Sequence, residues 1–129
     1  MFLQEFDKTQ KEAFICLGHN VVVADGDLTP DEQVMMNNLK REIGLETSFD
    51  PHYITLDGIN EIFTTHRSRV AVLINLVRLG YADGAFEVEE QMLVEQVCKH
   101  LEIGDEEFSR IENWVRRLIA LEKEALALM

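Results

Sequence analysis

The chain predicts an all-α fold: a compact bundle of six to seven helices with an internal pseudo-twofold repeat of two helix–loop–helix units. Three observations lead there. Apolar residues recur at helical spacing over most of the 129 residues, and no stretch of useful length alternates as a strand would. Residues 13–24 and 67–82 are apolar almost all round, which puts two helices in the middle of a domain rather than on its surface. Finally, a block of polar loop residues occurs twice. Ala24, Asp25, Gly26, Glu32 and Gln33 recur as Ala82, Asp83, Gly84, Glu90 and Gln91, each 58 positions later, and Met35, Leu39, Ile43 and Leu45 map in the same register onto Leu93, Val97, Leu101 and Ile103.

The elements follow in order. A first helix is expected from about Asp7 to Asp25, broken only by Gly18, His19 and Asn20 in its apolar half. Thr29-Pro30-Asp31-Glu32 is a capping box with proline at the first helical position, so a second helix starts at Pro30 and stops near Gly44. Residues 45–56, with Pro51 and His52, read as a linker, followed by a short helix from about Asp57 to Thr65. The fourth helix spans about Arg67 to Ala82, and the fifth starts near Val88. Gly104-Asp105 marks a boundary with Asp105 as N-cap. The last helix runs from Glu106 toward the C-terminus with an apolar face of Phe108, Ile111, Val115, Leu118, Leu121, Ala125 and Leu128. The whole is one domain, 1–129: repeat one about 7–45, linker about 46–66, repeat two about 67–103, C-terminal helix about 105–128. Gly18 and Gly80 are unfavourable inside helices, and a close helix crossing would explain them.

Composition narrows the function. Nearly half of the residues are apolar, enough for a real core, and the net charge is −12. That excess argues against nucleic acid and anionic membrane, which need a basic footprint, and suits cations or basic protein surfaces. Cys16 and Cys98 do not occupy equivalent positions and lie in apolar helical patterns; they read as buried thiols in a reducing, cytoplasmic setting rather than a disulfide or zinc site. The first residues lack the basic and apolar regions of a signal peptide. The longest apolar stretches run about a dozen residues, short of the ~20 that span a bilayer, so no membrane insertion is expected.

The chemistry lies in the repeated acids. Asp25 and Asp83 are expected at helix C-terminal ends, where the dipole is negative and an uncompensated carboxylate costs ~0.3–1 kcal/mol. The partner is either the start of the next helix or a bound cation. Glu32 is explained by its capping box. In the second copy the cap position is Glu87, so the reciprocal box is expected to be lost, and Glu90 remains unexplained by it. An EF-hand does not fit: with Asp25 as first ligand the sixth position is Pro30 and the twelfth Met36, and in the second copy Ala85 takes the third position. Carboxylate and carbonyl donors suit Ca²⁺, Mg²⁺ or Mn²⁺, whereas zinc would want histidine or thiolate. His19, whose counterpart is Val77, reads as a buried, hydrogen-bonded histidine. His100 sits well near a helix C-terminus, and His52 and His66 read as loop residues. The residues alone leave open a cation site at Asp25, Glu32, Asp83 and Glu90, with Asp27 and Glu87 as further acids, or two capped turns.

An apolar helix, Ala-Asp-Gly, a short acidic loop and Glu-Gln opening the next helix, occurring twice, resembles the TerB-like tellurite-resistance family. It is also similar to the N-terminal cytoplasmic module of membrane-anchored DnaJ-type co-chaperones. The strongest segments are Val23-Ala24-Asp25-Gly26 through Glu32-Gln33 and Tyr81-Ala82-Asp83-Gly84 through Glu90-Gln91, within a likeness covering about residues 10–120. The resemblance implies an all-helical fold, an acidic surface and a divalent-cation role for Asp25, Glu32, Asp83 and Glu90. Ala85 in place of an acid opposite Asp27 departs from a symmetric site. The expected function is a non-enzymatic binding module in a stress or tellurite-resistance context. The alternative is an interaction scaffold or co-chaperone-like module without metal, in which the C-terminal helix docks a protein partner or a second subunit. Neither a P-loop, a nucleophile elbow, HExxH nor a Cys–His motif is present, which leaves little for catalysis.

Overall fold

Six helices form among the described residues of the structure, a computed structural model that describes every residue except Asp25, Asp27, Thr47 and residues 82–85. They are α1 (Lys8–Val22), α2 (Pro30–Glu42), α3 (Ile59–Ile62), α4 (His66–Gly80), α5 (Val88–His100) and α6 (Asp105–Leu128), with no strand among the described residues. Helix starts follow local chemistry. Asp7 caps α1 with Gln10 reaching back, Thr29 caps α2 with Glu32 reaching back, and Thr65 caps α4 with Ser68. At α6 the cap is Gly104 and Asp105 is already the first helical residue, one place later than the expected N-cap role; its carboxylate then sits in a first turn that favours negative charge.

Helices α1 and α4 form the centre. Phe14, Ile15, Leu17, Val21 and Val22 from α1 meet Val72, Leu73, Leu76, Val77 and Leu79 from α4, all fully buried. Helix α1 packs against α2, α4 and α5, and α4 against α1, α2 and α5, with α6 laid along α4. The four helix bounds recur at the spacing of the sequence block: 8 and 22 in α1 against 66 and 80 in α4, 30 and 42 in α2 against 88 and 100 in α5. Exchanging α1 with α4 and α2 with α5 leaves these packing pairs unchanged.

The two glycines differ. A Cβ on Gly18 would lie 3.2 Å from Leu79 Cδ2 and 3.4 Å from Met36 Sδ, so this glycine does permit a close approach of α1 to α4 and α2. At Gly80 the obstructing group is the Phe86 ring, folded back from the following loop, and not another helix. The connection between α2 and α3 is tied down by polar groups. Asn20 Nδ2 donates to Ile54 O at 3.0 Å, and buried Lys40 donates from Nζ to Phe49 O at 3.0 Å.

Candidate functional site

Both central helices end before their Asp-Gly pair. Helix α1 closes at Val22, with the Val23 N–H donating to His19 O at 3.1 Å, and α4 closes at Gly80 with Tyr81 as its cap. The expected ends at Asp25 and Ala82 are thus three and two residues too late, because apolar composition continues past the last helical residue, through Val23 and Ala24 and at Tyr81. Gly26 has φ +106° and donates its N–H to Val23 O at 2.9 Å, a left-handed turn beyond the helix. Asp25, Asp27 and Asp83 lie outside the described residues, so of the expected site residues the structure places Glu32, Glu87 and Glu90.

Glu32 is the third residue of α2 and 3% exposed; Glu90 is the third residue of α5 and 1% exposed. Glu32 Oε1 accepts the Thr29 N–H at 3.0 Å, and Thr29 Oγ1 accepts the Glu32 N–H at 3.2 Å. Glu90 Oε1 accepts the Glu87 N–H at 3.1 Å. The reach-back bond expected to be lost in the second copy is therefore present. Its physical requirement is only an N–H at the cap position, and a glutamate supplies one as well as a threonine does. Glu87 itself is exposed. Capping accounts for the place of both glutamates in the chain; it does not account for their burial, since an ordinary capping glutamate lies in water. Buried carboxylates are rare and need hydrogen bonds, a helix N-terminus or an opposite charge around them.

Around the second copy, Gln91 Nε2 donates to Phe86 O at 2.6 Å, and the Phe86 ring meets Tyr81 edge-on at 5.1 Å between centroids. These contacts fix the loop exit that leads into Glu87 and Glu90. In the first copy Gln33 Nε2 instead donates to Asn37 Oδ1 at 3.2 Å. No group of three or more His, Cys, Asp or Glu side chains among the described residues stands ready to hold a metal.

The histidines depart from expectation in two places. His19 is half-buried, but its Nδ1 is buried without a hydrogen-bond partner among the described residues, so the expected bonded histidine is not found at that atom. His66 is not in a loop: it opens α4, and its Nε2 lies 2.8 Å from Glu107 Oε2 on α6. His52 is in the linker, its Nδ1 3.7 Å from the Sγ of buried Cys16. No motif signals that pair, because 36 residues separate its members and the linker has no periodicity. Both cysteines are free and buried, as read. Cys98 Sγ donates to Ile103 O at 3.3 Å, and burial, followed by the nearby carboxylates of Asp105, Glu107 and Glu95, pushes its thiol up to about 11.

No helix among the described residues is long and apolar enough to cross a membrane. Residues 52–113 match the family model described as tellurite resistance protein TerB. The matched stretch holds Asp83, Glu87 and Glu90 but neither Asp25, Asp27 nor Glu32, and is shorter than the likeness expected from the repeated motif. It does not bear on the DnaJ-type resemblance. The chain significantly matches no curated protein and no solved structure.

Proposed function

With residues 52–113 TerB-like, we propose that the chain is a non-enzymatic binding module of the tellurite-resistance type that takes a divalent cation at its paired Asp-Gly loops. One observation carries the reading: the two loops lead into helices whose third residue is a buried glutamate, 3% and 1% exposed, in a chain of net charge −12. Asp25 and Asp83 would supply the loop carboxylates, Glu32 and Glu90 those of the helix starts, and Asp27 and Glu87 further acidic charge. Such donors favour the hard ions Ca²⁺, Mg²⁺ and Mn²⁺. The two free buried thiols support a reducing, cytoplasmic setting.

Calorimetric titration of the intact chain with each of the three ions is the test. Saturable binding of at least one, abolished in an Asp25→Asn/Asp83→Asn variant, is expected. Silence for all three, or unchanged binding in that variant, refutes the reading.

A second reading is favoured by the two reach-back bonds at 3.0 and 3.1 Å. On it the glutamates are helix caps alone, and the module is a metal-free interaction scaffold of the co-chaperone kind. An ion-independent melting temperature would favour this reading over the first.

A further inference from the structure

Helix α6 is 24 residues long, yet its buried residues are only Ile111 and Val115, and every residue from Ala120 to Met129 is exposed. Past Glu122, which Arg78 holds, the helix overhangs by about 9 Å at 1.5 Å per residue. Helix of that length without packing is marginal in water. It is also apolar: Leu121 is 61% exposed, Leu126 71% and Leu128 88%.

Trp114, Leu118, Leu121, Ala125 and Leu128 are spaced by four, three, four and three residues, the alternation of a coiled-coil seam. The charges beside it have two fates. Arg116 is held by Glu112 at 2.8 Å and by the Tyr81 hydroxyl at 2.9 Å, and Glu122 by Arg78 at 2.9 Å. Arg117, Lys123 and Glu124 have no ion-pair partner among the described residues. Arg117 and Glu124 precede the seam residues Leu118 and Ala125 by one place, so they flank the same edge of the seam.

We propose that this seam pairs antiparallel with the same seam of a second copy. Setting Leu118 against Leu121 of the second copy, and the reverse, also sets Ala125 against the outer edge of Trp114, which is half-buried on its own core with its ring 6.4 Å from that of Phe2. In the same register Arg117 faces Glu124 of the second copy, twice by symmetry. Flanking positions of this kind choose partner and orientation in paired helices. From Trp114 to Ala125 the pattern is self-complementary, as a twofold interface requires. Residues 114–128 carry three basic and two acidic side chains, so this stretch adds little repulsion between two copies of a strongly acidic chain. The inference is independent of the cation reading.

Sedimentation equilibrium of the intact chain tests it. A monomer–dimer equilibrium populated at about 100 µM is expected, the range of a weak interface. Leu121→Glu, at an exposed position, should leave the helical circular dichroism of the body intact and abolish the dimer. Arg117→Glu and Glu124→Arg should each weaken self-association about tenfold or more. The double variant should restore it, and a mixture of the two single variants should form the heterodimer in preference to either homodimer. A chain that stays monomeric at that concentration overturns the proposal. So does a dimer indifferent to Leu121→Glu, or charge reversals that neither weaken nor rescue.

Discussion

Replacing Gly80 by alanine is the sharpest test of how the second loop is built. The added Cβ would lie 2.5 Å from Phe86 Cδ1, closer still to Cε1, and 3.0 Å from Cζ. Carbon atoms settle at about 3.5–4 Å, so the ring must retreat by roughly 1 Å. It has little freedom to do so. Phe86 is buried, its ring rests on Tyr81, and its carbonyl is held by Gln91 at 2.6 Å. Overpacking of this kind costs ~1–3 kcal/mol. Alanine recovers up to ~1 kcal/mol through helix propensity, an upper limit at the last residue of a helix. A net loss of about 1–2 kcal/mol is expected, read as a lowered urea midpoint with unchanged slope. Phe86→Leu in the Gly80→Ala background should return part of it, with a coupling of at least ~0.5 kcal/mol in the double-mutant cycle. Unchanged or raised stability in Gly80→Ala, or strict additivity with Phe86→Leu, refutes the reasoning.

Other outcomes follow from the same structure. Thr29→Ala removes the acceptor of the Glu32 N–H and should cost ~0.5–2 kcal/mol in thermal unfolding. Glu90→Ala leaves the Glu87 N–H without its acceptor and should cost ~1–3 kcal/mol by the same assay. The Cys98 thiol, pushed up to about 11, keeps its proton in the folded chain at pH values where an unfolded chain releases it. Its contribution to stability is complete below the ordinary thiol range and is lost as pH rises toward about 11. The fall in unfolding free energy across that window should accordingly be shallower in Cys98→Ala. Deleting residues 124–129, all exposed, should change unfolding free energy by less than ~0.5 kcal/mol in dilute solution.

The number, order and type of the helices were legible because the signals were local. Thr29-Pro30-Asp31-Glu32 opens α2 where the pattern puts it, and the apolar runs mark α1 and α4 as the central pair. Helix ends were less legible. The run to Ala24 reads as helix, but α1 closes at Val22, since apolar composition continues into the turn. Of the site, Glu32 and Glu90 stood out by repetition. Their burial did not, because exposure depends on what lies across the helix start and not on spacing along it. The reach-back by Glu90 is not signalled by the cap side chain, because the bond needs only the cap amide. Buried Lys40 and the Cys16–His52 contact had no signal, since both depend on where the unpatterned linker lies. The same is true of His66, whose helical place is set by the Thr65 cap and whose partner is on α6.

Two amide protons in this fold act as built-in reporters. Those of Thr29 and Glu87 are each held by a glutamate carboxylate three residues downstream. Whatever draws either acid elsewhere returns that proton to solvent, and its exchange with deuterium quickens. One spectrum of an isotopically labelled sample, followed as a salt is added, would show separately for each loop whether its acid had moved.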